Sequence, residues 1–149
     1  MNTTAATAPE ATAAARPAGC DVLIADDSGQ CRDILRALLR TFTEGLAVRE
    51  ARNGQEALAM WQTSRPRVTF LDIDMPEMNG LATLAEIRRQ QPDAFVAIVS
   101  GRSSTENVRA ALTNGASGFV VKPYKPQRIL DVLERYQKLS GQTIVKLPR

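Results

Sequence analysis

The residues of this chain best suited to chemistry are acidic, and they stand at the ends of apolar runs. Val22-Leu23-Ile24-Ala25 runs into Asp26-Asp27-Ser28, and Phe70-Leu71 into Asp72-Ile73-Asp74-Met75-Pro76-Glu77-Met78-Asn79-Gly80. Later, Val99 leads to Ser100-Gly101, and Val120-Val121 to Lys122-Pro123. Carboxylates packed a few ångströms apart raise one another's pKa unless a cation offsets them. Aspartates with a backbone carbonyl and water suit Mg2+ or Mn2+, hard cations that prefer oxygen. Lys122 adds a fixed positive charge opposite the acids, and Ser100 a short hydroxyl. The chain has no histidine, which excludes imidazole acid–base catalysis, Ser-His triads and most zinc sites. The best remaining nucleophile is a carboxylate oxygen. Phosphoryl transfer suits this set, because its transition state needs positioning and charge neutralisation above all.

These side chains meet only if the elements between them bring the loop tips together. Val22–Ala25 reads as a buried strand, apolar without alternation. Ser28 is placed to cap a helix carrying Ile34, Leu35, Leu38 and Leu39. Strands are predicted at Leu46–Ala51, Val68–Leu71, Phe95–Val99 and Phe119–Val121. Between them lie helices through Ala57–Trp61, ended by Pro66, and through Leu81–Arg88, closed by Pro92. A fourth helix is predicted over 104–113, stopped by Asn114-Gly115, and a fifth begins near Pro126 and carries Ile129, Leu130, Leu133 and Tyr136. Five strand-then-helix units with short connections argue for a parallel sheet covered on both faces. In such sheets ligands bind at the C-terminal strand ends, where the strand order reverses. Those ends hold Asp26, Asp27, Asp72, Asp74, Ser100 and Lys122.

Bulk properties set bounds. The chain has 149 residues, 44% of them hydrophobic and 23% charged, which fits one domain with a proper core. The net charge of +3 is spread without a basic stripe or interleaved aromatics, so no nucleic-acid partner is expected. No apolar run approaches membrane-spanning length. Cys20 and Cys31 match no zinc spacing and read as inert reduced thiols in a cytoplasmic protein. Residues 1–19, mostly Ala, Thr and Pro, lack the features of a signal or transit peptide and are expected to be disordered. Residues 20–139 form the expected domain, and 140–149 a short tail.

Taken in order, Ile24-Ala25-Asp26-Asp27-Ser28, Leu71-Asp72 through Asn79-Gly80, Val99-Ser100-Gly101 and Gly118-Phe119-Val120-Val121-Lys122-Pro123 resemble the receiver domain of bacterial two-component response regulators. The resemblance covers about four fifths of the chain. It implies an α/β, flavodoxin-like, doubly wound five-stranded parallel sheet of order 2-1-3-4-5 with five helices. It further implies that Asp72 is the phosphoacceptor, taking the phosphoryl group from a histidine kinase or a histidine phosphotransfer protein of a phosphorelay. By the same resemblance Asp26 and Asp27 hold Mg2+ with Asp72, and the Asp74 backbone carbonyl completes the metal site. Lys122 is implied to contact the phosphoryl oxygens, Ser100 to bond the phosphate as a switch, and Phe119 to turn inward with it. Asp74 and Arg102 stand beside the expected aspartyl phosphate and are read as tuning its hydrolysis. The resemblance also implies a cis Lys122-Pro123 peptide and a downstream protein partner on the face of the fourth helix, fifth strand and fifth helix. Such a protein is no enzyme toward other substrates. It catalyses only its own phosphorylation and slow dephosphorylation.

Each residue also has a quieter reading. Asp26 and Asp27 favour a helix N-terminus electrostatically, Ser100-Gly101 can simply begin a loop, Lys122 can be a solvated lysine, and Phe119 can be a core aromatic. Asp72-Ile73-Asp74 after a strand also resembles, less closely, a haloacid-dehalogenase-type phosphatase, though Pro76 departs from that motif. A phosphorylation-independent interaction module on the same fold is the other alternative. A nucleotide-binding domain lacks its Gly-rich loop after the first strand. With about ten residues after the last helix, the chain reads as a stand-alone, chemotaxis-regulator-like protein or a piece of a longer regulator.

Overall fold

A computed structural model of the chain describes residues 20–101 and 105–146. The disorder expected of residues 1–19 and the role given to Arg102 lie outside the described residues.

The elements alternate as expected. They are β1 (Val22–Ala25), α1 (Gly29–Phe42), β2 (Val48–Ala51), α2 (Gly54–Ser64), β3 (Val68–Asp72), α3 (Gly80–Gln90), β4 (Val96–Ser100), α4 (Thr105–Thr113), β5 (Gly118–Val121) and α5 (Pro126–Ser140). The strands form one sheet in the order β2-β1-β3-β4-β5, every pair parallel. The order turns back at β1 and β3, and Asp26 and Asp72 come from the ends of those two strands.

Strand alternation divides the core in two. Val22 and Ile24 of β1, Val68 and Phe70 of β3 and Ala97 and Val99 of β4 meet Leu35 and Leu39 of α1 and Ile129, Val132 and Leu133 of α5. The intervening Leu23, Ala25, Leu71, Val96 and Ile98 face Ala57 and Trp61 of α2, Leu84 and Ile87 of α3 and Ala111 of α4. Both faces of the central strands are thus dry, which is why they read as apolar runs interrupted only by Thr69 of β3.

Short side chains start the first three helices, Ser28 as the sequence suggested. The Ser28 hydroxyl accepts from the Cys31 N–H at 3.2 Å. Asn53 and Asn79 cap α2 and α3 in the same way, at 2.8 and 2.9 Å. Pro126 stands in the first turn of α5, and Gly115 ends α4 with a φ of 87°, a conformation that suits glycine.

Several boundaries differ from expectation by a residue or two. β2 begins at Val48, not Leu46, because Ala47 pairs with Asp21 outside the ladder, its N–H donating to Asp21 Oδ2 at 2.9 Å. β4 runs Val96–Ser100, one residue later than predicted. Phe95 stands before the ladder and meets Tyr136 edge-on, the ring centres 5.5 Å apart.

The segment after α5 folds back under the sheet. Gln137 Oε1 accepts from the N–H groups of Ile144 and Val145 at 2.8 and 2.7 Å. Arg67 Nη2 donates to the Thr143 carbonyl at 2.7 Å, and the Lys146 N–H donates to the Phe42 carbonyl at 2.8 Å. Ile144 is buried and belongs to the same core cluster as Val22, Leu39 and Val68. This strap lies at the N-terminal strand ends, opposite the acidic cluster. No described helix is long and apolar enough to cross a membrane.

Candidate functional site

The acidic residues converge. Asp26 follows β1 directly, and its N–H still donates to the Ala51 carbonyl at 3.0 Å, so the ladder fixes its backbone. Asp72 closes β3 opposite Val99, and the Ile73 N–H donates to the Val99 carbonyl at 2.9 Å. One carboxylate oxygen each from Asp26, Asp27 and Asp72 lie within 4.8 Å of one another. Asp26 and Asp72 are buried, while Asp27 is exposed at the mouth.

Lys122 reaches across from the end of β5. Its Nζ lies 2.9 Å from Asp26 Oδ2 and 3.1 Å from Asp72 Oδ2. The Lys122 N–H donates to the Ser100 carbonyl at 2.8 Å, which ties the β4 and β5 ends together. Ser100 is fully buried at the end of β4, beside Asp72 on β3. The Lys122-Pro123 peptide is cis, as the resemblance implied.

The Asp72–Gly80 loop is held from two sides. The Gly80 N–H donates to the Ile73 carbonyl at 2.9 Å, and the Asp74 N–H approaches Asp72 Oδ1 at 3.3 Å. The Asp74 side chain points to solvent. Neither Gly54 nor Gly80 has room for a side chain. A Cβ on Gly54 would lie 1.7 Å from the Met78 carbonyl oxygen. The sequence marks Gly80 only as the end of the acidic motif and does not disclose its close approach to Asp72. A glycine just inside a helix, straight after an Asn cap, was the available signal.

Electrostatics follow from the packing. Burial, and next the charge of Asp26, push the Asp72 carboxyl up to about 6, with Lys122 opposing both. Burial pulls the Lys122 ammonium down, but hydrogen bonds and charge from Asp26 and Asp72 outweigh it and leave Lys122 above its ordinary value. Burial, then the charge of Asp26, raise the Tyr124 phenol. Phe119 is half-buried against the α2–α3–α4 side of the core, and Tyr124 against the other side.

A divalent cation fits these residues. Apart from its ion pair with Lys122, the buried Asp26 Oδ2 has no hydrogen-bond partner among the described residues. It stands beside two further carboxylates. Three oxygen donors of this hardness suit Mg2+ or Mn2+ far better than a soft metal.

The response regulator receiver domain family matches residues 22–134. The chain belongs to that family. It is 34% identical over 120 residues to a chemotaxis protein CheY of Thermotoga maritima, covering 80% of this chain and 99% of that one. It is 36% identical over 117 residues to a chemotaxis protein CheY of Listeria monocytogenes, covering 78% and 98%. Among solved structures, the receiver domain of NtrX from Brucella abortus is similar with a TM-score of 0.72 and 36% identity, over 79% of this chain and 98% of that one. The chemotaxis response regulator CheY4 of Vibrio cholerae is similar with a TM-score of 0.70 and 31% identity, over 78% and 98%. Receiver-family membership replaces the phosphatase alternative, and the strand order is the one that the receiver resemblance implied.

Proposed function

We propose that this receiver domain accepts a phosphoryl group on Asp72 from a phosphohistidine, with Mg2+ bound, and that the modification switches a protein-binding face. The observation that carries the reading is the convergence of Asp26, Asp27 and Asp72 within 4.8 Å, with Lys122 Nζ 3.1 Å from Asp72 Oδ2. In the transfer, an Asp72 oxygen forms a bond to phosphorus while the N–P bond of the donor breaks. The electron pair stays on the departing imidazole nitrogen. Asp26, Asp27, Asp72 and the Asp74 carbonyl would hold the cation, which supplies charge neutralisation for the phosphoryl oxygens. Lys122 stands ready to neutralise one of those oxygens.

Phosphorylation turns a compact monoanion into a group of nearly two negative charges with three acceptor oxygens. Ser100 and Lys122 bond that group better in one backbone arrangement than in another, and only such a difference shifts the population. A change from 1:99 to 99:1 needs about 5.5 kcal/mol. A few hydrogen bonds to charged oxygens, each worth about 1.5–3 kcal/mol, are of that order. The responding face is α4, β5 and α5, with Phe119 and Tyr124 as the aromatics that follow Ser100. The donor is a histidine kinase or histidine phosphotransfer protein, and the acceptor of the signal a protein bound on that face. Cys20 and Cys31, both free, fit a reducing cytoplasm.

Asp74 and Arg102 tune loss of the phosphoryl group by aiming or blocking water. A dephosphorylation rate unchanged in both Asp74→Asn and Arg102→Ala removes that role. The main reading is tested by intact mass after treatment with acetyl phosphate, with Mg2+ or with EDTA. One phosphoryl group is expected with Mg2+, and none with EDTA or in Asp72→Asn. An unmodified parent protein contradicts it.

A further inference from the structure

Arg32 stands in the first turn of α1 and turns back toward the strand it follows. Its Nη1 donates to the Asp26 carbonyl at 2.7 Å. Its Nε donates to Glu50 Oε1 on β2 at 2.8 Å. The other Glu50 oxygen accepts from Arg36 Nη1 at 2.5 Å. Arg32 is mostly buried, with 16% of its side chain exposed, so the guanidinium is held from both sides and is not a solvated helix charge.

The carbonyl it holds belongs to the peptide between Asp26 and Asp27. That peptide's orientation sets the direction from which the Asp27 side chain leaves the backbone. No side-chain hydrogen bond fixes the Asp27 carboxylate among the described residues, and it is exposed. Asp26, by contrast, is pinned by its Oδ1, which accepts from the Ser28 N–H at 2.9 Å. The backbone alone therefore aims Asp27, and Arg32 is the side chain that holds this backbone.

We propose that Arg32, braced by Glu50, is a positioning residue for the metal loop: by gripping the Asp26 carbonyl it presents the Asp27 carboxylate, with that of Asp26, to a divalent cation. The proposal rests on the Mg2+-dependent reading above. Groups one shell outside a metal's ligands typically change affinity about 10–100-fold when lost, and the lower end suits a grip through the backbone.

The sign of the effect separates this role from its rivals. Arg32 is a cation beside a cation site. If charge alone mattered, removing it would strengthen Mg2+ binding. If it positions the loop, removing it weakens binding. Arg36 supplies the control, because it pairs with the same Glu50 but has no bond to Asp26.

The experiment is calorimetric titration of the unphosphorylated protein with Mg2+, each variant checked for folding by circular dichroism. Arg32→Met, which keeps the apolar stem, is expected to bind roughly tenfold more weakly. Arg32→Lys should recover part of the loss, and Arg36→Met should bind as tightly as the parent or slightly more so. If Arg32→Met does not fold, Arg32→Gln takes its place with the same expected sign. Binding by the Arg32 variant that equals or exceeds the parent's overturns the proposal while leaving the phosphoacceptor reading intact. So does an equal loss in Arg36→Met. A parent protein that binds no Mg2+ removes both.

Discussion

Gly80 presses on Asp72 so closely that a Cβ there would lie 2.1 Å from the Asp72 carbonyl oxygen and 2.9 Å from the Ile73 Cα. The first residue of α3 thus sets the backbone from which Asp72, the proposed phosphoacceptor, projects. Two effects compete when Gly80 becomes alanine. Lower entropy of the unfolded chain favours alanine by about 0.4–1 kcal/mol. The clash is with backbone, which cannot rotate away, and overpacking of this kind costs about 1–3 kcal/mol or more. The clash wins. Gly80→Ala should lower the urea midpoint and slow phosphorylation by acetyl phosphate, whereas an unchanged rate would show that Asp72 does not depend on this contact.

Asp72 binds its proton more tightly in the folded protein, with a pKa of about 6, than at the ordinary value of 3.8. Its ionisation therefore costs folded-state stability, fully above the folded pKa and not at all below the unfolded one. Asp72→Asn is uncharged throughout. In EDTA the variant should be more stable than the parent near pH 8, by at most about 3 kcal/mol, and the gain should fade toward about pH 4. Urea denaturation across that range measures it. The proton and the cation compete for the same carboxylate, so Mg2+ binding by the parent should weaken as pH falls through about 6.

Thr69 sits on β3 with its side chain buried, and its hydroxyl has no hydrogen-bond partner among the described residues. Valine has the same shape and no polar group to leave unpaired. Thr69→Val should stabilise the protein by about 1–2 kcal/mol, raising the denaturation midpoint without changing its slope. A loss of stability would reveal a partner for the hydroxyl.

Ile144 anchors the strap at the end of the molecule away from Asp72. It is buried, with 5% exposed, and truncation of such a side chain costs about 2–4 kcal/mol. Ile144→Ala should lower the melting temperature and leave the phosphorylation rate unaltered. A slower rate in a folded variant would mean that the strap communicates with the site.

The parallel sheet and the acidic cluster were legible because one pattern repeats, whereas the strand order came with the receiver resemblance. Each buried strand is an apolar run, broken only by Thr69 of β3, and the residue that ends or follows it is polar, so Asp26, Asp72, Ser100 and Lys122 could be assigned to one end of the sheet. What escaped depends on long-range contacts that leave no periodic trace. Arg32 and Glu50 lie 18 residues apart on different elements, and an arginine on a helix reads as solvated. The strap is held by one glutamine oxygen and by Arg67, 76 residues before Thr143. Ile144-Val145 is too short a run to announce burial. The β2 start moved because Asp21 captures Ala47, a side-chain bond that competes with the ladder.

The identity of the modified atom tests the account most directly. After phosphorylation with acetyl phosphate and Mg2+, borohydride reduces an acyl phosphate to the alcohol, converting the modified aspartate to homoserine. Peptide mapping by mass spectrometry then locates it. Homoserine at position 72, and at neither 26 nor 27, is the predicted result. Conversion at Asp26 or Asp27, or no conversion in a folded protein supplied with Mg2+, would contradict the assignment of Asp72 as the group that receives the phosphoryl unit.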